Sequence, residues 1–465
     1  MLKSLLRPAY LLRTSLLVLT LQLPCLAANA QQTAVLMENA AVIIGDGTLL
    51  DSASLLYRNG RIEAVTASEA ADFDLPDDLT VIDLAGKTIM PAMIDAHAHL
   101  GYEAFTSWGA DNYSRENLLG HLQRYAYYGF SAVFSAGSDP DELAFSLQRE
   151  IEEGAVEGAR FLIAAGMGPP GQGPNDQFLA QALTVAERTG MNILYGIANE
   201  QNALLAVREA AERGQRFIKI WVDDRGGSQQ KLAPHLYRAI ISEAHNLGLQ
   251  VYVHQQNAGD MLDLLDAGTD GFLHGRIGSS FDSGLAKRTK QAGAFIVPNL
   301  GLGELRREAI GDDDFLTATL PLEVARRLSV AGGVRGQSSS GSPDSESEMA
   351  ASFNALVDEN VDVLLGTDAG AVPDHFFGYT GHRELEIFVR LGMQPMQALV
   401  SATSLPAQRL GLQDSGLIQA GYRADIVVLD ESPLDDIRNT RTISRVIIAG
   451  KELDRESLAA SFREE

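Results

Sequence analysis

Eight short apolar runs alternate with amphipathic stretches between residues 88 and 367, and this alternation limits the chain to few folds. Strands that alternate with helices along a chain are typical of parallel α/β architectures. Runs that are apolar at every position also suit parallel strands covered on both faces. We therefore predict an α/β fold with a TIM-like (β/α)8 barrel. The predicted strands are 88–94, 131–135, 160–165, 217–222, 249–254, 271–274, 294–298 and 361–367, with helices at, for example, 234–247 and 260–267.

Both ends of the chain show a different pattern, in which Gly and Asp turns separate short β-like runs. These runs lie at 34–36, 41–44, 54–58, 61–65 and 81–84, and again at 424–429 and 445–449. Such runs predict short antiparallel strands. We expect the two ends to form one small β-sandwich domain beside the barrel. The predicted boundaries are 31–87 for the N-terminal part of the sandwich, 88–412 for the barrel and 413–465 for the C-terminal part.

The segment 1–30 has the layout of a secretory signal peptide. Lys3, Arg7 and Arg13 give it a basic start, an apolar run spans 15–26, and small residues at 28–30 offer a cleavage site. The alternative is an uncleaved membrane anchor. However, the run is shorter than the roughly 20 residues that a spanning helix needs. We predict export, with a secreted or periplasmic mature protein that is not attached to a membrane.

The composition narrows the chemistry of any site. The only cysteine, Cys25, lies within the predicted signal peptide, so the mature chain has no thiolate for a metal and no disulfide. A metal would have to be held by His, carboxylate or a modified lysine. The chain carries 37 basic and 61 acidic residues, a net charge of −24. This acidity argues against nucleic acid or an anionic membrane as a partner.

Two histidines and one lysine stand at the ends of predicted strands. His97 and His99 follow the first strand, and alternate residues of a strand point to the same face, so both imidazoles project together. This pair alone fits a structural role equally well. Lys219 lies within the apolar fourth strand, where an amine is costly unless its charge is paired or altered. The alternative for Lys219 is an amine that reaches solvent at the strand end.

Three more polar residues follow later strands of the predicted barrel. His254 ends the fifth strand, His274 ends the sixth, and Asp368 comes directly after the eighth. The carboxyl ends of barrel strands meet at one face, where barrel enzymes place their active sites. Any one of these residues alone is more often a core or rim residue. Their common position predicts a metal site at the mouth of the barrel.

At these residues the sequence resembles the amidohydrolase superfamily, most of all its imidazolonepropionase-like and prolidase-like members. The resemblance rests on the order of the six residues along the strands. It extends to the stretch 86–91 before the first histidines, and to Gly416, Gly421, the run 424–429 and Gly450 in the tail. It covers nearly the whole mature chain.

The resemblance implies a site with two divalent metal ions, zinc in the first place, with manganese, cobalt or iron as alternatives. Lys219, carboxylated by carbon dioxide, would bridge the two ions. His97, His99 and Asp368 would hold the first ion, and His254 and His274 the second.

The resemblance also implies a metal-dependent hydrolase. It would cleave an amide-type C–N bond in a dipeptide, a blocked amino acid or a cyclic amide. A hydroxide bridged by the two metal ions would attack, and Asp368 would carry the proton. Three alternatives stay open: a lactonase, esterase or phosphoesterase on the same site, a mononuclear deaminase, and a binding protein with a degenerate barrel. Lys219 argues against the deaminase, which has no need of a carbamate. A homo-oligomer is also open.

Four residues are candidates for contact with a small-molecule substrate: Arg225, Arg276, Tyr195 and His382. The loop that contains Arg225 differs from the Gly-rich loop of many prolidase-like proteins. Arg225 can clamp a carboxylate, or it can pair internally with Asp223 or Asp224.

The remaining histidines and one low-complexity stretch have weaker signals. His121 and His375 are possible pocket residues for which a packing role is favoured. His235 and His245 fall on the predicted helix 234–247 and are predicted to be structural. The stretch 336–348, rich in Ser, Gly and acidic residues, is predicted to be a flexible insertion.

Overall fold

The computed structural model describes residues 34–67, 75, 78–274, 281–304, 309–330, 333 and 343–464. The predicted signal peptide, Arg276 and most of the stretch 336–348 lie outside the described residues. The last part of that stretch belongs to a helix, Pro343–Asp358, so the prediction of a flexible insertion is wrong for residues 343–348. Within the described part of the chain, every helix is too short or too polar to cross a bilayer.

The strands follow one another along the whole described chain. They are β1 Ala34–Ile43, β2 Leu49–Arg58, β3 Arg61–Thr66, β4 Leu79–Asp83, β5 Thr88–Pro91, β6 Met93–Ala98, β7 Phe130–Ser135, β8 Arg160–Ile163, β9 Ala165–Gly168, β10 Leu194–Gly196, β11 Phe217–Val222, β12 Gln250–Gln255, β13 Gly271–Leu273, β14 Phe295–Val297, β15 Asp362–Val363, β16 Ile426–Leu429, β17 Ile443–Ile448 and β18 Lys451–Glu452.

Helices lie between most of the strands from β6 onward. They are α1 Arg115–Tyr127, α2 Asp141–Glu152, α3 Asp176–Thr189, α4 Glu200–Glu212, α5 Pro234–Asn246, α6 Ala258–Ala267, α7 Ser283–Ala292, α8 Gly301–Glu304, α9 Asp314–Thr317, α10 Leu322–Leu328, α11 Pro343–Asp358, α12 Tyr379–Arg390, α13 Pro395–Ala402, α14 Ser404–Arg409 and α15 Arg455–Glu464. Short 3-10 turns lie at Ala110–Asn112, Arg225–Gly227 and Ile437–Arg441.

Parallel strands build the TIM-barrel-like part of the fold. One sheet has the order β6, β7, β8, and a second has β10, β9, β11, β12, β13, β14, β15. A single residue separates β8 from β9, so the two sheets follow each other along the chain. Residues after β15 also reach β6, where Leu365 O accepts from Ala96 N at 2.9 Å and His97 O accepts from Thr367 N at 3.1 Å. The site residues therefore stand at the ends of parallel strands.

A layer of aromatic rings lies among these strands. Phe217 packs at 5.3 Å from Phe134 and 5.5 Å from Tyr252, and Tyr252 packs at 4.9 Å from Phe295, measured between ring centroids. All four rings are buried. Phe217 lies two residues before Lys219, on the same face of β11. The rings thus form a packed layer next to the residues of the site. Truncation of such a buried ring to alanine typically lowers the free energy of unfolding by about 3–5 kcal/mol.

The two chain ends meet in a mixed sheet with the order β18, β17, β16, β5, β1, β2, β3, with β4 beside β1. One contact between the ends is the antiparallel pair of β16 and β5, in which Val427 faces Met90. The meeting of the two ends was expected from their similar β-like runs. The arrangement of this sheet as a two-layered sandwich stays a prediction.

The prediction of one strand over 88–94 is wrong. β5 and β6 are separate strands in different sheets. Between them the Ala92 amide donates to Asp425 O, and the next amide, at Met93, donates to Gly129 O, each at 2.9 Å. The chain therefore changes partner strands within one residue. The apolar run 88–94 is uninterrupted in the sequence, so the sequence gives no sign of this change of partner strands.

Candidate metal centre

The end of β6 and the residue after the eighth strand bring three ligand-type side chains together. His97 and His99 project from the same face of β6, and the Nε2 atom of each lies 3.4 Å from Asp368 Oδ1. One ligand atom from each of the three residues falls within 4.8 Å of the others. All three side chains are buried. The first metal group predicted from the sequence is therefore assembled in space.

The two later histidines join this cluster. The His274 ring centroid lies 4.6 Å from that of His97 and 4.8 Å from that of His254. His274 Nε2 is also 3.7 Å from Asp368 Oδ2. Four imidazoles and one carboxylate therefore surround one small volume at the strand ends.

Lys219 enters the same volume from β11, and its side chain is only 1% exposed. Its ammonium nitrogen lies 5.4 Å from the centroid of the Trp221 ring. Burial lowers the pKa of the Lys219 amine, and the Asp368 carboxylate opposes this shift only in part. At a given pH, a larger fraction of the Lys219 amine is therefore neutral than in a surface lysine. This excludes the alternative in which Lys219 reaches solvent.

Burial also lowers the pKa of His97, His99, His254 and His274 well below the usual value, and the charge of Lys219 acts in the same direction. Neutral imidazole is the form that binds a metal ion, because its unprotonated nitrogen provides the lone pair. The surroundings of the four rings thus favour the neutral form that a metal requires.

Hydrogen bonds fix which nitrogen of three rings faces the cluster. His97 Nδ1 lies 2.9 Å from Asn299 Oδ1, and His99 Nδ1 lies 2.8 Å from Ser138 Oγ. His254 differs, because its Nε2 lies 3.1 Å from Asp223 Oδ2. Second partners of this kind set the tautomer and orientation of metal-binding histidines.

The residues present fit a divalent metal. His97 Nε2 is buried and makes no hydrogen bond to any described residue. Leaving such an atom unsatisfied is costly, and a metal ion would satisfy it. The donors are imidazole nitrogens and a carboxylate, the set that zinc accepts. Without a thiolate among them, the donors also admit harder metals such as manganese.

Three residues around the cluster adopt the left-handed backbone conformation: His274 with φ 63°, Asn299 with φ 53° and Asp368 with φ 60°. Each follows a parallel strand and begins the turn away from it. Non-glycine residues rarely adopt this conformation, and they concentrate at functional sites, where it aims side chains that a regular strand could not.

The Asp95 carboxylate supports the cluster through four hydrogen bonds. Its Oδ1 accepts from the amides of His97 and Thr367 at 3.0 and 3.1 Å. Its Oδ2 accepts from the Thr367 hydroxyl at 2.6 Å and from the Tyr125 hydroxyl at 2.8 Å. The Asp95 carboxylate thus ties the strand that carries His97 to the segment that carries Asp368.

A cavity of about 110 Å³ opens onto these ligands. Part of its wall is apolar, with Phe178 and Trp221 as the largest side chains, and Asn175 and Gln256 are among the polar ones. The remaining lining residues are His99, Pro174, Lys219, Arg225, His254, His274, Leu302, Asp368, Ala371 and Val372. The volume fits the reacting part of a small molecule.

Arg225 is one predicted substrate residue that reaches this cavity. It also makes the internal ion pair that was its alternative role, with Nη1 at 3.0 Å from Asp223 Oδ2. Arg276, the second predicted arginine, lies outside the described residues.

The structure does not bring His382 or Tyr195 to the cavity. Both nitrogens of His382 are used elsewhere, at 2.9 Å from Thr440 Oγ1 and 2.9 Å from Tyr128 O. Tyr195 lies on β10 and is not among the residues that line the cavity; burial, and after it the charges of Asp141 and Glu209, raise the pKa of its hydroxyl. These two substrate assignments are therefore corrected. From the sequence, neither side chain's direction could be read.

The other histidines hold structural positions. His121 is buried between the Gly101 amide, at 3.1 Å, and Glu103 O, at 3.0 Å. His375 Nδ1 lies 3.3 Å from the backbone oxygen of Asp368, so it supports the turn at the cluster. On α5, His235 is exposed and His245 pairs with Asp270 at 3.0 Å.

Sequence reasoning missed Asn299, Ser138 and Asp95 as supporting residues. Asp95 could have been found, because it shares a strand face with His97 at a spacing of two. Ser138 and Asn299 follow β7 and β14 by two or three residues. The only sequence signal at both is a small polar residue after an apolar strand.

Parallel strands in a TIM-barrel-like α/β fold, with clustered histidines, a buried lysine and an aspartate at their carboxyl ends, define a metal-dependent barrel enzyme. The chain belongs to the amidohydrolase family, whose sequence model matches residues 88–453. Enzymes of this family are metal-dependent hydrolases that act on C–N bonds of small molecules, and this chain is such a hydrolase.

Known relatives are distant but extend along most of the chain. Ochratoxinase of Aspergillus niger is 23% identical over 449 residues, covering 89% of this chain and 85% of its own. Imidazolonepropionase of Deinococcus deserti is 24% identical over 410 residues, covering 86% and 90%. The solved structure of a Xaa-Pro dipeptidase with bound methionine in its active site has a TM-score of 0.67 at 24% identity, covering 90% and 100%. At this identity the structural likeness establishes the fold.

Proposed function

We propose that the protein hydrolyses an amide-type C–N bond in a dipeptide, a blocked amino acid or a cyclic amide, at a site with two divalent metal ions. The observation that carries this proposal is the convergence of six ligand-type side chains, five of which line one cavity. The four imidazoles and the Asp368 carboxylate lie beside one another, and Lys219 lines the cavity together with all of them except His97. The similarity to a dipeptidase supports placing dipeptides among the first substrates to test.

His97, His99 and Asp368 would hold the first ion, and His254 and His274 the second. Lys219 would bridge the two after its amine takes up carbon dioxide. In that reaction the neutral amine nitrogen bonds to the carbon of CO₂ and releases one proton, which leaves an anionic carbamate. The lowered pKa of the Lys219 amine supports this step, because only the neutral amine has a free electron pair. When bound, the metal ions would lower the pKa of a water molecule and polarise the substrate carbonyl.

Asp368 would move the proton. Its carboxylate faces three imidazoles, and it also lines the cavity. In the proposed reaction the water oxygen bonds to the carbonyl carbon while Asp368 accepts a proton from the water. The C–N bond then breaks, and Asp368 returns the proton to the leaving nitrogen. The products are a carboxylic acid and an amine.

The supporting residues would keep the ligands in place during this reaction. Asn299 and Ser138 orient His97 and His99, and Asp95 holds the two segments that carry His97 and Asp368. Their contribution is preorganisation, since each fixes a group before the substrate arrives. We take the barrel as closed between β6 and residues 365–369, which the hydrogen bonds of Leu365 and Thr367 support.

A mononuclear deaminase is the second candidate. It is favoured by the compact group of His97, His99 and Asp368, which could hold a single ion without Lys219. A lactone, ester or phosphoester substrate on the two-metal site is a further alternative, because a fold of this kind hosts all of these reactions.

Elemental analysis of purified protein separates these candidates. We expect about two ions per chain in the wild type and in Lys287→Ala, an exposed lysine on α7, and a clear loss in Lys219→Ala. One ion per chain that does not depend on Lys219 would overturn the bridge and favour the deaminase. No metal after reconstitution would favour a binding protein with a degenerate barrel. Hydrolysis of dipeptides, N-acyl amino acids and cyclic amides, measured beside lactones and phosphoesters, then identifies the bond.

We propose that the segment 1–30 directs export, to a periplasm. Its basic start, apolar run and small residues support this. N-terminal sequencing of the protein from fractionated cells tests it: a mature chain that begins near residue 31 in the exported fraction is expected, and an uncleaved chain in the membrane fraction would contradict it.

A further inference from the structure

The loop after β11 contains a carboxylate that contacts two residues of the cavity wall at once. Asp223 Oδ2 lies 3.1 Å from His254 Nε2 and 3.0 Å from Arg225 Nη1. The other oxygen, Oδ1, accepts from the Arg225 amide at 3.0 Å. A candidate metal ligand and an arginine are thus held by the same carboxylate.

The bond to Asp223 determines how His254 can act. A carboxylate accepts, so the Nε2 of His254 carries the hydrogen and Nδ1 keeps the electron pair. Because the other nitrogen is occupied, Nδ1 is the atom left for a metal ion. This differs from His97 and His99, whose Nδ1 atoms bond to supporting residues.

The Arg225 guanidinium is held by two contacts, and one of its N–H groups is not used in either. Its Nη2 donates to Gly173 O at 3.0 Å, and its Nη1 pairs with Asp223. Its Nε is buried and has no hydrogen-bond partner among the described residues. A buried donor without an acceptor is costly. Since Arg225 lines the cavity, an acceptor on a bound molecule would remove that cost.

Gln229 adds further hydrogen bonds between the two loops that Arg225 connects. Gln229 accepts from the Gly173 amide at 2.9 Å and donates to Pro174 O at 2.8 Å. The loop after β9 and the loop after β11 are therefore joined by Gln229 as well as by Arg225. The guanidinium is preorganised, so little entropy is lost when it binds an anion.

We propose that Asp223 is a positioning residue that couples substrate recognition to the metal site, and that Arg225, held by it, binds a carboxylate of the substrate. The substrate class is an N-acylated amino acid or dipeptide with a free carboxylate. Phe178 and Trp221 in the same cavity suit an apolar side chain beside that carboxylate. The choice of an amide substrate rests on the proposed function. The coupling through Asp223 does not.

The first experiment uses metal-free protein, in which no turnover occurs. Calorimetry compares N-acetyl-L-phenylalanine with its primary amide, which lacks the charge. We expect the wild type to favour the acid by about tenfold or more, the size of a charged hydrogen bond, and Arg225→Gln to lose this preference. Equal binding of acid and amide by the wild type, or an unchanged preference in Arg225→Gln, would overturn the assignment of Arg225.

The second experiment measures how Asp223 affects metal binding and the His254 ring. Asp223→Ala is compared with Asp224→Ala, because Asp224 is an exposed carboxylate of the same loop that contacts the Gly226 amide instead. Competition with a chromophoric chelator should show zinc binding about 10–100-fold weaker in Asp223→Ala, with Asp224→Ala unchanged. Nitrogen chemical shifts of the His254 ring in metal-free protein should change only in Asp223→Ala.

These outcomes separate the coupling from the proposed function. If the wild type hydrolyses no amide but Asp223→Ala still shifts His254 and weakens zinc, the coupling stands and the proposed reaction fails. If Asp223→Ala and Asp224→Ala give the same His254 shifts and the same zinc affinity, the coupling is wrong, whatever the protein hydrolyses. Should Asp223→Ala fail to fold, Asp223→Asn takes its place, because Asn retains the size but not the charge. It should weaken zinc binding and shift the His254 nitrogens to a smaller extent, and values equal to those of Asp224→Ala would overturn the coupling.

Discussion

Asn299 Oδ1 lies 2.9 Å from His97 Nδ1, although the two residues are 202 positions apart in the chain. The amide oxygen accepts, so His97 carries its hydrogen on Nδ1 and presents Nε2 to the cluster. Asn299 can reach the ring because its left-handed backbone, with φ 53°, turns the side chain back over the strand end. One residue outside the ligand set therefore fixes the tautomer of a ligand.

We expect Asn299→Ala to weaken zinc binding about tenfold or more, because the His97 ring loses its orientation. Asn299→Asp should retain most of the affinity, since it keeps an acceptor at the same position. Chelator competition measures both, with Asn202→Ala on the outer helix α4 as the control. Equal affinity in Asn299→Ala and the wild type would show that the strand alone orients His97.

Asp95 should matter for stability as well as for the site. Its carboxylate accepts from two amides and two hydroxyls, all of them buried. Asp95→Ala leaves these donors without a partner, so we expect it to lower the free energy of unfolding by about 3–5 kcal/mol. Guanidinium denaturation measures the change. A loss below about 1 kcal/mol would mean that water replaces the carboxylate.

Much of the site could be predicted from the sequence, because its ligands follow strands whose apolar runs are visible as such. Lys219 and His254 lie within β11 and β12, and Asp368 follows β15. The order of the strands along the chain brings these residues to one face. The two predicted helices at 234–247 and 260–267 correspond to α5 and α6. These features depend on local pattern, which the sequence contains.

What the sequence could not give depends on contacts between distant segments. The change of sheet between Pro91 and Met93 is set by two partner strands and not by any local residue. The direction of His382 is set by Thr440 and Tyr128, one of them in the tail of the chain. The eighth strand is regular only over Asp362–Val363, since the residues that follow turn toward the cluster.

Gly370 lies where the chain turns away from Asp368, with φ 86°. A Cβ atom there would stand 1.9 Å from the backbone oxygen of His99. We expect Gly370→Ala to lower the free energy of unfolding by about 2–5 kcal/mol, from backbone strain and the forced displacement together. Gly190→Ala is the control, because Gly190 has φ 69° and no atom within 4 Å of the added Cβ. Equal losses in the two variants would mean that the contact with His99 relaxes freely.

Asp139 should make stability depend on pH. Burial raises the pKa of its carboxyl to about 6 from an ordinary 3.8. Between these values the unfolded chain gives up the proton while the folded protein keeps it, so stability falls as pH rises from 4 to 6. Asp139→Asn cannot ionise. The free energy of unfolding of the variant relative to the wild type should therefore increase by about 2 kcal/mol between pH 4 and pH 7.

Denaturation curves at several pH values measure this difference, with Asp111→Asn, a fully exposed carboxylate, as the control. A difference that does not change with pH would mean that Asp139 stays ionised in the folded protein. Its partner Tyr113, whose hydroxyl donates to Asp139 Oδ1 at 2.7 Å, would then be the group that keeps it charged.

Asp368 has two proposed roles, and one substitution separates them. Asp368→Asn keeps an oxygen for a metal ion but can no longer accept a proton. We expect kcat to fall by about 10²–10⁴-fold, the usual contribution of a positioned base, while the metal content stays near that of the wild type. Elemental analysis and kinetics on the same preparation test this. Near-normal turnover with metal bound would mean that another group takes the proton. Loss of both metal and turnover would assign Asp368 the ligand role alone. It would mean that the ion needs the negative charge of Asp368, because the imidazoles of His97 and His99 are neutral.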